Sequence, residues 1–149
     1  MGLQDRVMQE MKIAMKAKNT VALESLRAIK SALLLAQTDK SAGATMTEED
    51  EVKLVQKLVK QRKDSAGIYK EQGRADLAEA ELAQVAVIEK FLPEQLTREE
   101  IEKVVVQTIE ATGAEGMKDM GKVMGIVSKE LAGQADGKTI STIVRSKLN

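Results

Sequence analysis

The chain has 149 residues, 43% hydrophobic and 31% charged, with 23 Lys and Arg against 23 Asp and Glu. That size holds one domain or two very small ones, and a charge balance of zero singles out no partner. Cys and His are absent and aromatic residues are 1% of the chain, which excludes thiol nucleophiles, disulfides, Cys/His zinc sites, a histidine general base and base recognition on several stacked rings. The longest apolar run, Ala32–Ala36, falls far short of the ~20 residues of a membrane span, so no membrane association is expected. Asp5 and Glu10 interrupt the start of the chain and leave no room for the apolar core of a signal peptide. Arg6 stands where a myristoylation signal needs Ser or Thr. The expected compartment is the reduced cytoplasm.

Abundant Ala, Leu, Met, Glu and Lys with a single proline predict an all-α protein. The first helix is expected from about Gly2 to Ala17, because Leu3, Val7, Met11 and Ala14 form one apolar stripe. Asn19 is placed to cap a second helix that runs to about Gln37 and turns Leu23, Leu26 and Leu33 inward. Asp39, Ser41 and Gly43 mark a loop over Thr38–Met46. Thr47 and the acids at 48–51 then open a third helix, which extends to about Gln72 with Gly73 as its stop. A fourth helix covers about Arg74–Phe91 and is ended by Pro93. Thr97 and Glu100 form a capping box for a fifth helix that ends at Gly113. A sixth is expected over about Met117–Leu131 and a short seventh over about Thr139–Leu148, with Gly133 and Gly137 framing the turn between them. The natural boundary at Pro93–Thr97 divides the chain into a four-helix portion, 1–96, and a three-helix portion, 97–149.

The stretch Gly133–Thr139 superficially looks like a nucleotide P-loop, but position 132, where the first glycine belongs, is Ala, and the approach is helical rather than a strand. No nucleotide, metal or other cofactor is expected, and no self-contained set of catalytic residues stands out. Two charged residues break the helical pattern. Arg62 falls in the middle of the apolar arc of Val52, Val55, Leu58 and Val59, and Glu81 in that of Leu77, Val85, Ile88 and Leu92. Glu81 could be a catalytic carboxylate. The favoured expectation is an interhelical Arg62–Glu81 ion pair that fixes register. Lys53, Lys57, Lys60 and Lys63 line the outer side of the third helix, where the favoured expectation is a solvated face and the alternative is contact with nucleic acid.

The sixth helix carries more information. Met120, Val123, Met124, Val127 and Leu131 share one side, and Lys118, Lys122 and Lys129 the opposite one, edged by Gly121 and Gly125. Residues 117–149 hold six Lys and Arg against three Asp and Glu, whereas 97–116 hold two against five. Glycine inside a helix costs ~1 kcal/mol against alanine, so these two call for a reason. Either another helix packs closely there, or a phosphate backbone approaches between the lysines.

Six stretches in this order and spacing resemble the GatB/YqeY family over essentially the full chain: Leu26–Ala32, Lys60–Ser65, Gly73–Ala78 with Glu81, Phe91–Leu96, Lys118–Gly125 and Gly133–Lys138. Phe91 departs from the pattern, in which Tyr is expected. The resemblance implies a two-part helical fold whose C-terminal part is similar to the tail domain of an aminoacyl-tRNA amidotransferase B subunit, a domain that helps to recognise the body of the tRNA. It carries Gly121, Lys122 and Gly125 onto the glycine-bearing helix of that tail and Lys138 onto the following turn. It also implies a link to carbon–nitrogen ligase chemistry with glutamine as amido donor, for which no residues are visible here.

The expected function is therefore a non-catalytic tRNA-binding or amidotransferase-associated protein. Lys118, Lys122, Lys129, Lys138, Arg145 and Lys147 are its candidate phosphate contacts, and recognition is by RNA shape. The alternatives are a protein-interaction module that docks a translation or amidotransferase component, and an accessory to the ligase reaction.

Overall fold

The computed structural model describes residues 2–39 and 46–149. Among them it contains seven α-helices and no strand: α1 (Leu3–Lys16), α2 (Thr20–Asp39), α3 (Glu48–Glu71), α4 (Ala75–Ile88), α5 (Arg98–Thr112), α6 (Met120–Glu130) and α7 (Gly137–Leu148). The all-α expectation holds, with four helices before Pro93 and three after it. The chain divides into two compact units, Met1–Leu92 and Pro93–Asn149. Most of the loop expected over Thr38–Met46, including Ser41 and Gly43, lies outside the described residues. Its first two residues do not belong to a loop. Thr38 and Asp39 complete α2, and the Thr38 hydroxyl donates to the Leu35 carbonyl at 2.8 Å.

In the first unit, α1 packs on α2, α2 on α4, and α3 along α4. The core they enclose includes Val7, Leu26, Ile29, Leu33, Val55, Val85 and Ile88. Two helix ends in this unit are built alike. At the end of α3, Gly73 takes a left-handed φ of 73°, so that its N–H reaches the Lys70 carbonyl and the Arg74 N–H the Tyr69 carbonyl. At the end of α1 the same two bonds form, from Lys18 to Met15 and from Asn19 to Ala14, but the left-handed residue is Lys18, at φ 55°. A side chain there costs about 1–2 kcal/mol that glycine does not. Lys18→Gly is accordingly expected to stabilise the unit by about 1 kcal/mol, measured as a higher urea midpoint. The Asn19 side chain then caps α2, accepting from the Ala22 N–H at 3.1 Å.

In the second unit, both hydrogen bonds of the Thr97–Glu100 capping box start α5. The core is Ile101, Val105, Val123, Val127, Leu131, Ile140, Ile143 and Val144, with Ala135 and Leu148. The segment before α5 is tied to the turn between α6 and α7. The Gln95 carboxamide donates to the carbonyls of Pro93 and Gly133, at 2.8 and 2.7 Å, and the Leu96 N–H donates to the Gln134 carbonyl at 3.0 Å. No helix among the described residues is long and apolar enough to cross a membrane.

Candidate nucleic-acid interface

The helix bearing the lysines starts later than its composition suggests. Gly116 takes a φ of 70°, and Met117–Asp119 form a 3-10 turn closed by the Asp119 N–H on the Gly116 carbonyl. The Asp119 carboxylate turns back to accept from the Glu115 N–H at 2.8 Å. Lys118 therefore belongs to this tighter turn and not to α6 itself, and its phase with Lys122 is not that of one continuous helix.

Within α6 the segregation is as expected. Val123 and Val127 are fully buried, Leu131 just beyond the helix is buried, and Met120 and Met124 are half-buried. Gly121, Lys122, Gly125 and Lys129 are all exposed. At about 100° per residue, Lys122, Gly125 and Lys129 share one side of the helix. A Cβ added to Gly121 or Gly125 would meet nothing within 4 Å. Packing inside the described chain thus gives neither glycine a reason, and the expectation of a neighbouring helix seated on them is not met by any described element of the chain. Gly121 lies in the first turn of α6, where a glycine costs less than it does at Gly125.

The remaining candidates divide. Asp136 caps α7, which starts two residues before the expected Thr139: its carboxylate accepts from the Thr139 N–H at 2.7 Å and from the Thr139 hydroxyl at 3.0 Å. Lys138 and Arg145 are exposed and seven residues apart on α7, hence on one side. Lys147 projects away from them and forms an ion pair with Glu102 of α5. It does not join the others. Sequence periodicity could not reveal this pair, because its members lie on different helices. The Lys147 ammonium, through its hydrogen bond and its charge, holds the Glu102 carboxyl below its usual range. A carboxylate lowered in this way contributes stability above its unfolded pKa, and the contribution is lost as pH falls through the folded value. Lys147→Gln is expected to return the Glu102 titration upward, read by NMR of the side-chain carboxyl. Any stability gap from wild type should close at acid pH.

In the first unit the expected Arg62–Glu81 pair does not form. Arg62 is half-buried, as its position in the apolar arc suggests, but its Nε donates to Gln84 Oε1 at 2.9 Å and its Nη1 to the Leu58 carbonyl at 3.2 Å. The reason is register: Arg62 and Gln84 are equally far from the turn at Gly73, whereas Glu81 is three residues closer. Of the lysines on α3, all exposed, Lys53 pairs with Glu49 at 3.3 Å and Lys63 with Glu89 at 3.4 Å. The described residues hold no cluster of acidic side chains able to bind a metal ion.

Comparison with known proteins follows the same outline. A family model described as Yqey-like protein matches residues 4–148. The chain is similar to altered inheritance of mitochondria protein 41 of Pyrenophora tritici-repentis, with 33% identity over 132 residues, covering 87% of this chain and 71% of the relative. A protein of the same name from Meyerozyma guilliermondii is 30% identical over 124 residues, covering 81% of this chain and 64% of its own. The chain is also similar to one component of the glutamyl-tRNA(Gln) amidotransferase of Thermococcus gammatolerans, with 36% identity over 86 residues. That match covers 58% of this chain and 11% of the amidotransferase polypeptide.

Proposed function

The chain belongs to the YqeY-like protein family and is related to a segment of a tRNA amidotransferase component, and on that premise we propose that its C-terminal unit binds tRNA through the exposed cationic side of α6. The observation that carries this reading is the pair of open glycines beside Lys122 and Lys129. Gly125 costs the helix about 0.5–1 kcal/mol against alanine, and no contact within the described chain repays it. A bare backbone between two ammonium groups is a surface that a phosphate chain can approach closely. Lys138 and Arg145 add charge on α7. Lys147, already neutralised by Glu102, contributes little. With almost no aromatic side chains the unit would read RNA shape and not stacked bases. Such binding suits an accessory of a tRNA-modifying amidotransferase rather than its catalyst.

The test is Gly121→Ala combined with Gly125→Ala. The added methyl groups meet open space, so the variant should be more stable than wild type by about 1 kcal/mol. Its affinity for tRNA at low salt should fall nonetheless, because the backbone is screened. Absence of tRNA binding by wild type would end the proposal, and unchanged binding by the variant would end the role of the glycines. A second reading is favoured by Met117 and Ile126, which are 43% and 40% exposed beside the same row. In that reading the surface docks a protein, and a complex that survives both nuclease and high salt would establish it.

A further inference from the structure

The first unit contains a cleft of about 500 Å³, bounded by one face of α1, the start of α2 and the 3-10 turn Glu89–Phe91 that follows α4. Its floor is formed by Ala14, Ala22, Leu26 and Phe91. The alanines are too short to fill the space, and Ile13 stands 59% exposed at the edge. The rim is cationic. The Arg6 guanidinium sits over the Phe91 ring, 5.3 Å from its centroid, and Lys90 belongs to the same lining. Among the described residues, neither the Arg6 nor the Lys90 side chain has an ion pair or hydrogen bond. The Asn19 carbonyl is spent on the Ala22 N–H, which leaves that side chain's amide hydrogens as donors. Glu10 is the one acid in the lining. Hydrogen-bond donors therefore outnumber acceptors, and two cations face one carboxylate above an apolar floor.

A volume of this order is that of pockets which take small organic ligands. We propose that the cleft binds a small amphipathic anion. Its apolar body would lie against Ile13, Ala17, Ala22 and Val87, above the buried Ala14, Leu26 and Phe91, and its anionic head would meet Arg6 and Lys90. The stacking of Arg6 on Phe91 holds the guanidinium over the apolar floor, where a single ligand can engage both. This site is independent of the cationic surface in the C-terminal unit.

Two fluorescent probes with the same aromatic body separate the contributions: 8-anilinonaphthalene-1-sulfonate, which carries an anion, and N-phenyl-1-naphthylamine, which does not. With the full folded chain, the sulfonate should bind saturably at one site, and the uncharged probe at least tenfold more weakly. Arg6→Gln combined with Lys90→Gln, both at exposed positions, should weaken the sulfonate at least tenfold and abolish the preference, with the helical content by circular dichroism unchanged. Ala22→Leu, which fills the floor, should weaken both probes. Equal affinity for the two probes, non-saturable binding, or sulfonate affinity unaltered in the double variant would overturn the proposal.

Discussion

Replacing Ile29 by alanine is expected to lower the stability of the Met1–Leu92 unit by an amount near the upper end of the ~2–5 kcal/mol range for isoleucine truncation. Ile29 is completely buried, and its helix, α2, packs against α1, α3 and α4. The cost of a cavity depends on how far the surroundings can collapse into it. A site held from three sides by other helices collapses least. Domains of this size are marginally stable, by about 5–15 kcal/mol in all, so the variant should show a large drop in urea midpoint or be partly unfolded at 37 °C. Leu34 and Leu35, on the same helix, are 49% and 63% exposed, and alanine at either should cost far less. An Ile29→Ala protein as stable as Leu35→Ala would mean that the core is not centred on α2. Circular dichroism in a urea series decides between these results.

The same residues show why the fold was legible in the sequence. Helix α2 has an unbroken run of apolar residues at 32–36, yet only Leu33 in that run is buried. Spacing, which turns Leu23, Leu26 and Leu33 inward, picks out the inner face where hydrophobicity alone cannot: Leu26 and Leu33 are buried and Leu23 is half-buried. Several of the caps are equally readable. The Thr47 and Thr97 capping boxes and the Gly73 stop involve neighbours within a few residues and so obey local rules. Several stretches that carry the family resemblance are explained by the same local chemistry. The Arg74 guanidinium grips both oxygens of Asp76, at 3.2 and 3.1 Å, in the turn that Gly73 makes possible. Gln95 joins the Phe91–Leu96 stretch to the Gly133–Lys138 stretch across the C-terminal unit.

What the sequence could not supply was the partner of each long polar side chain. Spacing puts Arg62 in the middle of an apolar arc, where it is half-buried, but its reach to Gln84 rather than Glu81 depends on a register set by the Gly73 turn. Periodicity puts Lys118 on the sixth helix in phase with Lys122 and Lys129. A positive φ at Gly116 and the Asp119 bond to the Glu115 N–H tighten that turn instead. The cleft beside Phe91 had no signal of its own, because alanines at 14 and 22 read as ordinary helix formers until the helices are brought together. Interface lysines and solvated lysines follow one periodicity.

Lys122→Glu combined with Lys129→Glu should have the largest effect on tRNA binding. Each lysine that neutralises a duplex phosphate releases about 0.9 of a condensed counterion. At 50 mM salt that release alone corresponds to roughly a tenfold gain in affinity per contact. Losing two contacts should therefore weaken binding about 100-fold at low salt, and the introduced carboxylates repel the phosphates further. The slope of log affinity against log salt should flatten by nearly two. Because both side chains are exposed, the fold should change in stability by no more than about 0.5 kcal/mol for each. Lys147→Gln serves as the comparison, since the positive charge it removes is already matched by Glu102, and its affinity should stay within about twofold of wild type. Filter binding of tRNA across a salt series measures all three proteins. A double variant that binds with wild-type slope would place the phosphate contacts elsewhere, and equal losses in the double variant and in Lys147→Gln would show that general charge rather than the α6 surface governs association.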